Sequence, residues 1–407
     1  MGSGRIFNNN SFFIIFCTLI IIHCSLPSEP IPVDNPVEAE FFWESPLPVL
    51  IRFSYNPDGC DDQRIVYPAG RRFVRSHEVR PLGVSERTRY SGRFEGVTED
   101  GERLQSEEIE FSNSTASADS RLLEVITVYV GWGDAHLLIL PNKEAVLIDC
   151  GGQKHIADLQ SFLDERILSN GSSELRALVL THPHEDHIGG AIGDPEVIGD
   201  GVLESFQVDA LLLPEFDPVD FPLMEAIIRS AYASGTAVYY LQDGDDDIVR
   251  AQALAWDPGV RVRVLNSGSV YGSSNINNLS LVLKLSFHEI DFLFTGDAEK
   301  EVELKLLSRY SGSDMLASEV LKLSHHGSRD ANSPIFLEAV SPRASILSID
   351  SGEVGWNLPD EDVLASLEQL WVDLFRTDTR ACDGSLMRSH ISILTDGEYF
   401  EVHQLKR

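Results

Sequence analysis

The sequence predicts an α/β domain of alternating strands and helices, preceded by a small all-β domain. Three observations carry that reading. Residues 40–118 show a strand-and-turn rhythm without helical periodicity, apolar strands alternate with amphipathic helices from residue 122 onward, and histidines and aspartates cluster directly after one of those strands. A chain of 407 residues has room for two or three domains of about 100–200 residues each.

Residues 1–24 read as a signal or membrane anchor. Phe12 to Ile22 is an apolar run of 11 residues. That is short of the roughly 20 needed to span a bilayer and within the 7–15 or so of a secretory signal core. Arg5 is the only basic residue ahead of it, and Cys24 ends it where a bacterial lipoprotein would carry its lipidated cysteine. His23 is not the small residue expected before such a cysteine. Residues 25–39, opening SLPSEPIPVDNPVE, read as an extended tether. The expected location is outside the cytoplasm: secreted, periplasmic or membrane-anchored through the N-terminus. Cysteines 17, 24, 60, 150 and 382 are scattered, with no CxxC pair and no visible disulfide framework.

In residues 40–118, VLIRFSY (49–55) reads as a strand and NPDG (56–59) as a turn. The EDG turn (99–101) separates two strand-like runs, as in a hairpin. This stretch resembles a fibronectin type III module, in particular the one preceding the catalytic domain of purple acid phosphatases. Val84 and Tyr90 stand where that family places a Leu and a Tyr across a Pro-x-Thr loop, and Glu86 replaces the proline. The resemblance implies a tyrosine corner at Tyr90. An unrelated small sandwich or barrel fits the same strand pattern.

After a short linker the second domain, 119–407, takes up the alternating rhythm. EVITVYV (124–130), EAVLIDC (144–150) and RALVLT (176–181) read as strands. Residues 155–170 form an amphipathic helix with Ile156, Leu159, Phe162, Leu163 and Ile167 on one face, and Gly171 as its stop. Further helices are signalled at 220–234, 298–310, 334–340 and 361–371, the third opened by Ser333 and Pro334. Strands are expected near 281–295, 319–324, 343–349, 372–377 and 390–402.

THPHEDHIGG (181–190) follows a strand directly and puts four metal-capable side chains into six positions. An extended His-x-His lets His182 and His184 point to one side, and the turn after it lets Asp186 and His187 face a second ion. Imidazole with carboxylate suits Zn²⁺, Mn²⁺ or Fe and not Ca²⁺. Gly189 and Gly190 permit a tight exit.

HPHEDH resembles the His-x-His-x-Asp-His signature of the metallo-β-lactamase superfamily. VGWGDA (130–135), LIDCGG (147–152), NNLSLVLKL (277–285), LFTGDAEKE (293–301), LKLSHHGS (321–328) and FRTDTRACDGS (375–385) resemble, in order, segments of the metallohydrolase domain of ComEC-type competence proteins. The resemblance covers about 122–402 and implies an αββα sandwich with two divalent metal ions, Zn or Mn. It implies that His182 and His184 hold the first ion, and Asp186 and His187 the second. Asp297 of the TGD turn bridges them, and His325 completes the second site. Asp149 orients a ligand or water from a strand end, and His326 stands beside the site as a proton donor. The adjacent pair 325 and 326 is not separable by sequence. The catalytic set is therefore Asp186, His326 and Asp149. A helix cap is the plain alternative for Asp297, and a strand-end turn for Asp149. The third His that many superfamily members give the first metal is missing, since His288 reads as a hairpin-turn residue. Asn357 of WNLP (356–359) stands where the branch often has a His, and Asn278 and Ser280 lie near the site in the family pattern.

The activity implied is hydrolysis of phosphodiesters, nuclease-like, by metal-activated water. The alternatives are a lactone or other ester hydrolase, and a non-catalytic surface binding protein with an incomplete metal site. The 64 acidic against 32 basic side chains give a formal charge of −32, which disfavours duplex DNA and leaves small or single-stranded phosphodiesters as partners. The sequence leaves the oligomeric state open.

Overall fold

A computed structural model of the chain describes residues 40–58, 63–84, 88–112, 121–169, 174–193, 200–268, 274–353, 358–380 and 386–406. The expected signal and tether, Cys60, Glu86, Gly171, Asn357 and Cys382 lie outside the described residues. None of the described helices is long and apolar enough to cross a membrane. The chain divides into two compact units, one reaching to Ser120 and including Tyr399–Glu401, the other holding the rest from Arg121.

The first unit is all-β. Strand Phe41–Pro57 pairs antiparallel with Arg64–Pro68, Val74–Val79 and Arg89–Val97, and the last of these pairs with Arg103–Gln105 and Ile109–Ser112. Its register breaks between Glu44 and Val49, where Pro46 and Pro48 have no N–H to give to a ladder. Inward-facing aromatic side chains form the core: Phe53 meets Phe94 at 5.0 Å and Tyr90 stacks on Phe111 at 5.2 Å.

The second unit has four layers. One sheet orders the strands Ala237–Leu241, Ala210–Pro214, Glu174–Val179, Ala145–Ile148, His136–Ile139, Leu123–Thr127 and Leu386–Thr395. The first four run parallel, and the later pairs are antiparallel. The other orders Val260–Asn266, Val282–Phe287, Ile290–Phe294, Val320–Lys322, Ala344–Leu347 and Asp373–Arg376. Helices Ile156–Ser169 and Pro222–Ser234 cover the first sheet through Leu159, Leu163, Met224 and Ile227. Helices Lys300–Arg309, Pro334–Val340 and Glu361–Gln369 cover the second through Val302, Phe336 and Leu367. Strand residues such as Val125, Val146 and Phe292 are buried outside both helix-facing clusters. The rings of His136 and Phe294 meet at 5.3 Å from the two sheets. The sheets therefore pack on each other and helices lie outside, as an αββα sandwich.

The expected helices all occur within two residues of their signalled starts. Residues 281–295 form two strands joined at His288, which is exposed in a hairpin turn at φ 54°. The strands His136–Ile139, Ala210–Pro214, Ala237–Leu241 and Val260–Asn266 carried no expectation.

Leu147 is fully buried and packs under the helices of the first sheet. Leu147→Ala should cost about 2–5 kcal/mol in urea unfolding. Leu304→Ala, at a position 65% exposed, should stay within about 0.5 kcal/mol. Equal losses would show that this layer is not a packed core.

Candidate metal centre

The cluster forms where strand ends of both sheets meet. Asp149 follows strand Ala145–Ile148 at φ 56° and is 1% exposed. Its Oδ1 accepts from Thr181 N at 2.7 Å, and its Oδ2 from Thr181 Oγ1 at 2.7 Å and His187 Nδ1 at 2.8 Å. Because Nδ1 of His187 donates there, its Nε2 is the nitrogen left facing the cluster. The Thr181 hydroxyl, spent as a donor on Asp149, accepts from His182 Nδ1 at 3.1 Å. His182 therefore also turns its Nε2 toward the cluster.

From the second sheet, the turn after Ile290–Phe294 brings Asp297, whose N–H donates to Ser280 Oγ at 3.0 Å. The cap of the following helix is Glu299, so Asp297 is not a helix cap. Past Val320–Lys322, His325 and His326 both take left-handed backbone, at φ 46° and 51°. That strained pair sends the two imidazoles in different directions. His326 Nδ1 donates to Ser348 O at 2.9 Å, leaving Nε2 to the cluster.

Asp186 and Asp297 each then face the same two imidazole nitrogens. Asp297 Oδ2 lies 3.3 Å from His187 Nε2 and 3.7 Å from His326 Nε2. Asp186 Oδ2 lies 3.9 Å from His187 Nε2 and 3.6 Å from His326 Nε2. Both Nε2 atoms are buried with no hydrogen-bond partner. An orphaned buried polar atom costs about 1–3 kcal/mol, and a cation in the cradle, whether a proton or a metal ion, removes that cost. A second group shares Asp297: His182 Nε2 is 3.8 Å from Asp297 Oδ2 and 3.0 Å from His184 Nδ1. Donor type and orphaned nitrogens thus fit divalent metal ions.

Charge reinforces the fit. Burial alone would lower His187, but Asp297, Asp186 and Asp149 outweigh it and raise it well above the usual imidazole range. Burial would raise Asp297, yet His187, His326 and Lys322 hold it well below the carboxylate range. His182, beside His187, is pushed well down by burial first and that neighbour second. The negative potential is therefore centred on the four-atom cradle.

The structure brings His182, His184, Asp186, His187, Asp297 and Asp149 together as the motifs suggested. It exchanges the two adjacent histidines. The sequence reading gave His325 to the second ion and left His326 beside it. Instead His326 joins Asp186 and His187, while His325 turns to Glu299 Oε1 at 3.2 Å and Asn277 Nδ2 at 3.5 Å. The left-handed step at both residues, invisible in the letters HH, decides this. Asn278 Oδ1 accepts from Glu299 N and Ser280 accepts from Asp297, so both hold the loop.

Three contributors were not singled out in sequence. Asp134 lies 3.7 Å from His187 Nδ1, Lys322 reaches Asp134 at 2.5 Å, and the Trp132 ring packs 4.4 Å from that of His326. The signal was present, since all three lie inside VGWGDA or LKLSHHGS.

Gly133 has φ 118°, and a Cβ there would meet Asp186 O at 1.9 Å. Gly133→Ala should displace the Asp186 loop and abolish heat of Zn²⁺ uptake in calorimetry. Gly101→Ala, at φ 83° with open space around it, should cost about 1–2 kcal/mol and leave uptake intact. Normal uptake by Gly133→Ala would show that the loop position does not matter.

Comparison with known proteins agrees with this geometry. The family model described as Metallo-beta-lactamase superfamily matches residues 133–195, which include Asp134, Asp149 and the HPHEDH segment. The "ComE operon protein 3" of Bacillus subtilis (strain 168) is 28% identical over 268 residues, covering 63% of this chain and 32% of that protein. "Competence protein ComA" of Neisseria gonorrhoeae is 35% identical over 253 residues, covering 62% and 31%. "Recombination protein 2" of Haemophilus influenzae is 25% identical over 247 residues, covering 60% and 26%. The chain spans about a third or less of the length of these curated relatives. With its sandwich and its His/Asp cluster at the strand ends, this chain carries a metallo-β-lactamase superfamily domain that resembles part of the ComEC-type competence proteins.

Proposed function

We propose that the chain is an exported, metal-dependent hydrolase of phosphodiester bonds. The observation that carries the reading is the cradle of two orphaned imidazole nitrogens and two carboxylates, with a second ligand group sharing Asp297. Asp186, His187, His326 and Asp297 hold one ion, and His182, His184 and Asp297 hold a second with fewer ligands. Ions in these places supply an acidified water and a positive field at the oxygen that gains charge.

The chain's own residues do the rest. Asp149 fixes the tautomer of His187 directly and that of His182 through Thr181. His325, 19% exposed and held by Glu299 and Asn277, is the imidazole left to protonate the leaving oxygen. Relatives named for competence and recombination favour a phosphodiester over a lactone on a fold that serves both. The charge of −32 favours small or single-stranded substrates over duplex DNA. The apolar run at residues 12–22 favours export or a membrane tether.

The test is turnover of bis-p-nitrophenyl phosphate and single-stranded DNA by Zn²⁺-loaded and Mn²⁺-loaded protein, for wild type, Asp297→Asn and Asp291→Asn. Asp297→Asn should lose roughly a thousandfold or more in rate. It should also lose most of the stabilisation that ions give, about 2.7 kcal/mol at one hundred times Kd in wild type. Asp291 pairs with Lys284 at 2.7 Å at a partly exposed position, so Asp291→Asn should change either quantity little. Inactivity of wild type with both metals would remove the phosphodiesterase reading.

A further inference from the structure

Lys322 ends strand Val320–Lys322 and is 1% exposed. Its Nζ lies 2.5 Å from Asp134 Oδ2, 2.7 Å from Gly296 O and 3.3 Å from Asp297 Oδ1. An ammonium has three protons, and three acceptors stand here, drawn from the 130–135 loop and the TGD turn. Burying a charge costs several kcal/mol unless its partners are well placed. A strand end that needed only packing would be served by leucine or methionine.

The contact divides Asp297. One oxygen, Oδ1, is taken by Lys322, and the other, Oδ2, faces the Nε2 atoms of His187, His326 and His182 at 3.3, 3.7 and 3.8 Å. A free carboxylate turns easily about its last torsion and can chelate one ion with both oxygens. The ammonium removes that freedom. We propose that Lys322 is a positioning residue of the ion centre, holding Asp297 so that a single oxygen faces the ions. Asp134 is the counter-charge that keeps the ammonium in place. The inference rests on the reading of the cluster as an ion centre.

Asp134 also stands within ligand reach of His187 and Asp297, so the pair is removed together and Asp134→Asn alone is measured beside it, positioning by Lys322 being the loss that the double variant shows beyond the single one. Asp134→Asn with Lys322→Met deletes one negative and one positive group, so the net charge around Asp297 is unchanged. The probe is Co²⁺ added to chelator-treated full-length protein, read by calorimetry and by visible absorption bands that report ligand geometry. A positioning role predicts an affinity lower by roughly 10–100-fold than that of Asp134→Asn, with altered bands, in a protein that still melts cooperatively. A role in packing alone lowers the melting temperature and leaves affinity and bands as in wild type, which overturns the proposal. Should the apolar version fail to fold, Asp134→Asn with Lys322→Gln, whose amides can hydrogen-bond to each other, is read the same way. Wild type that takes up no Co²⁺, Zn²⁺ or Mn²⁺ removes the ion-centre reading and this inference with it. A double variant that binds as well as wild type or as Asp134→Asn overturns this inference alone.

Discussion

Three aspartates, Asp134, Asp149 and Asp297, are at most 2% exposed, and Asp186 joins them at the rim. So much negative charge away from water is tolerable only where positive charge and donors are delivered at fixed positions. Several local features of the second unit serve that delivery. Thr181 gives both its N–H and its hydroxyl to Asp149. Lys322 gives its ammonium to Asp134 and Asp297. The left-handed residues Asp149, His325 and His326 lie at the strand ends that hold the cluster. Backbone strain of this kind, of order 1–3 kcal/mol per residue, persists where the surroundings fix it.

The two ligand groups are unequal. The four-atom cradle has its tautomers fixed by Asp149 and Ser348 on opposite sides. The other group relies on His182, the half-exposed His184 and the shared Asp297. Its two imidazoles lie 3.0 Å apart, close enough to hydrogen-bond each other. On the proposed reading, fewer ligands and a competing contact would make it the weaker of the two.

Much of this was legible in the letters. The alternating strand and helix periods gave the layers, because a buried face imposes its period on the sequence. The His-x-His-x-Asp-His run and the TGD turn gave five of the site's side chains, since metal ligation demands particular atoms at particular spacings. What stayed hidden depends on tertiary contact. Strands such as Ala210–Pro214 are short and continuously apolar, without an alternation to mark them. His325 and His326 are the same letter twice, and only the backbone turn at Leu323–Ser328 separates the one that joins the cluster from its neighbour. Lys322 reads as an ordinary strand-end lysine until the Asp134 loop is seen to fold over it.

The most direct measurement is anomalous X-ray diffraction from crystals of the chain soaked in Zn²⁺ or Mn²⁺. The account places the strongest peak among His187 Nε2, His326 Nε2, Asp186 and Asp297, with a weaker one toward His182 and His184. A peak held by His325 and Glu299 instead, or none within the cluster, would contradict it.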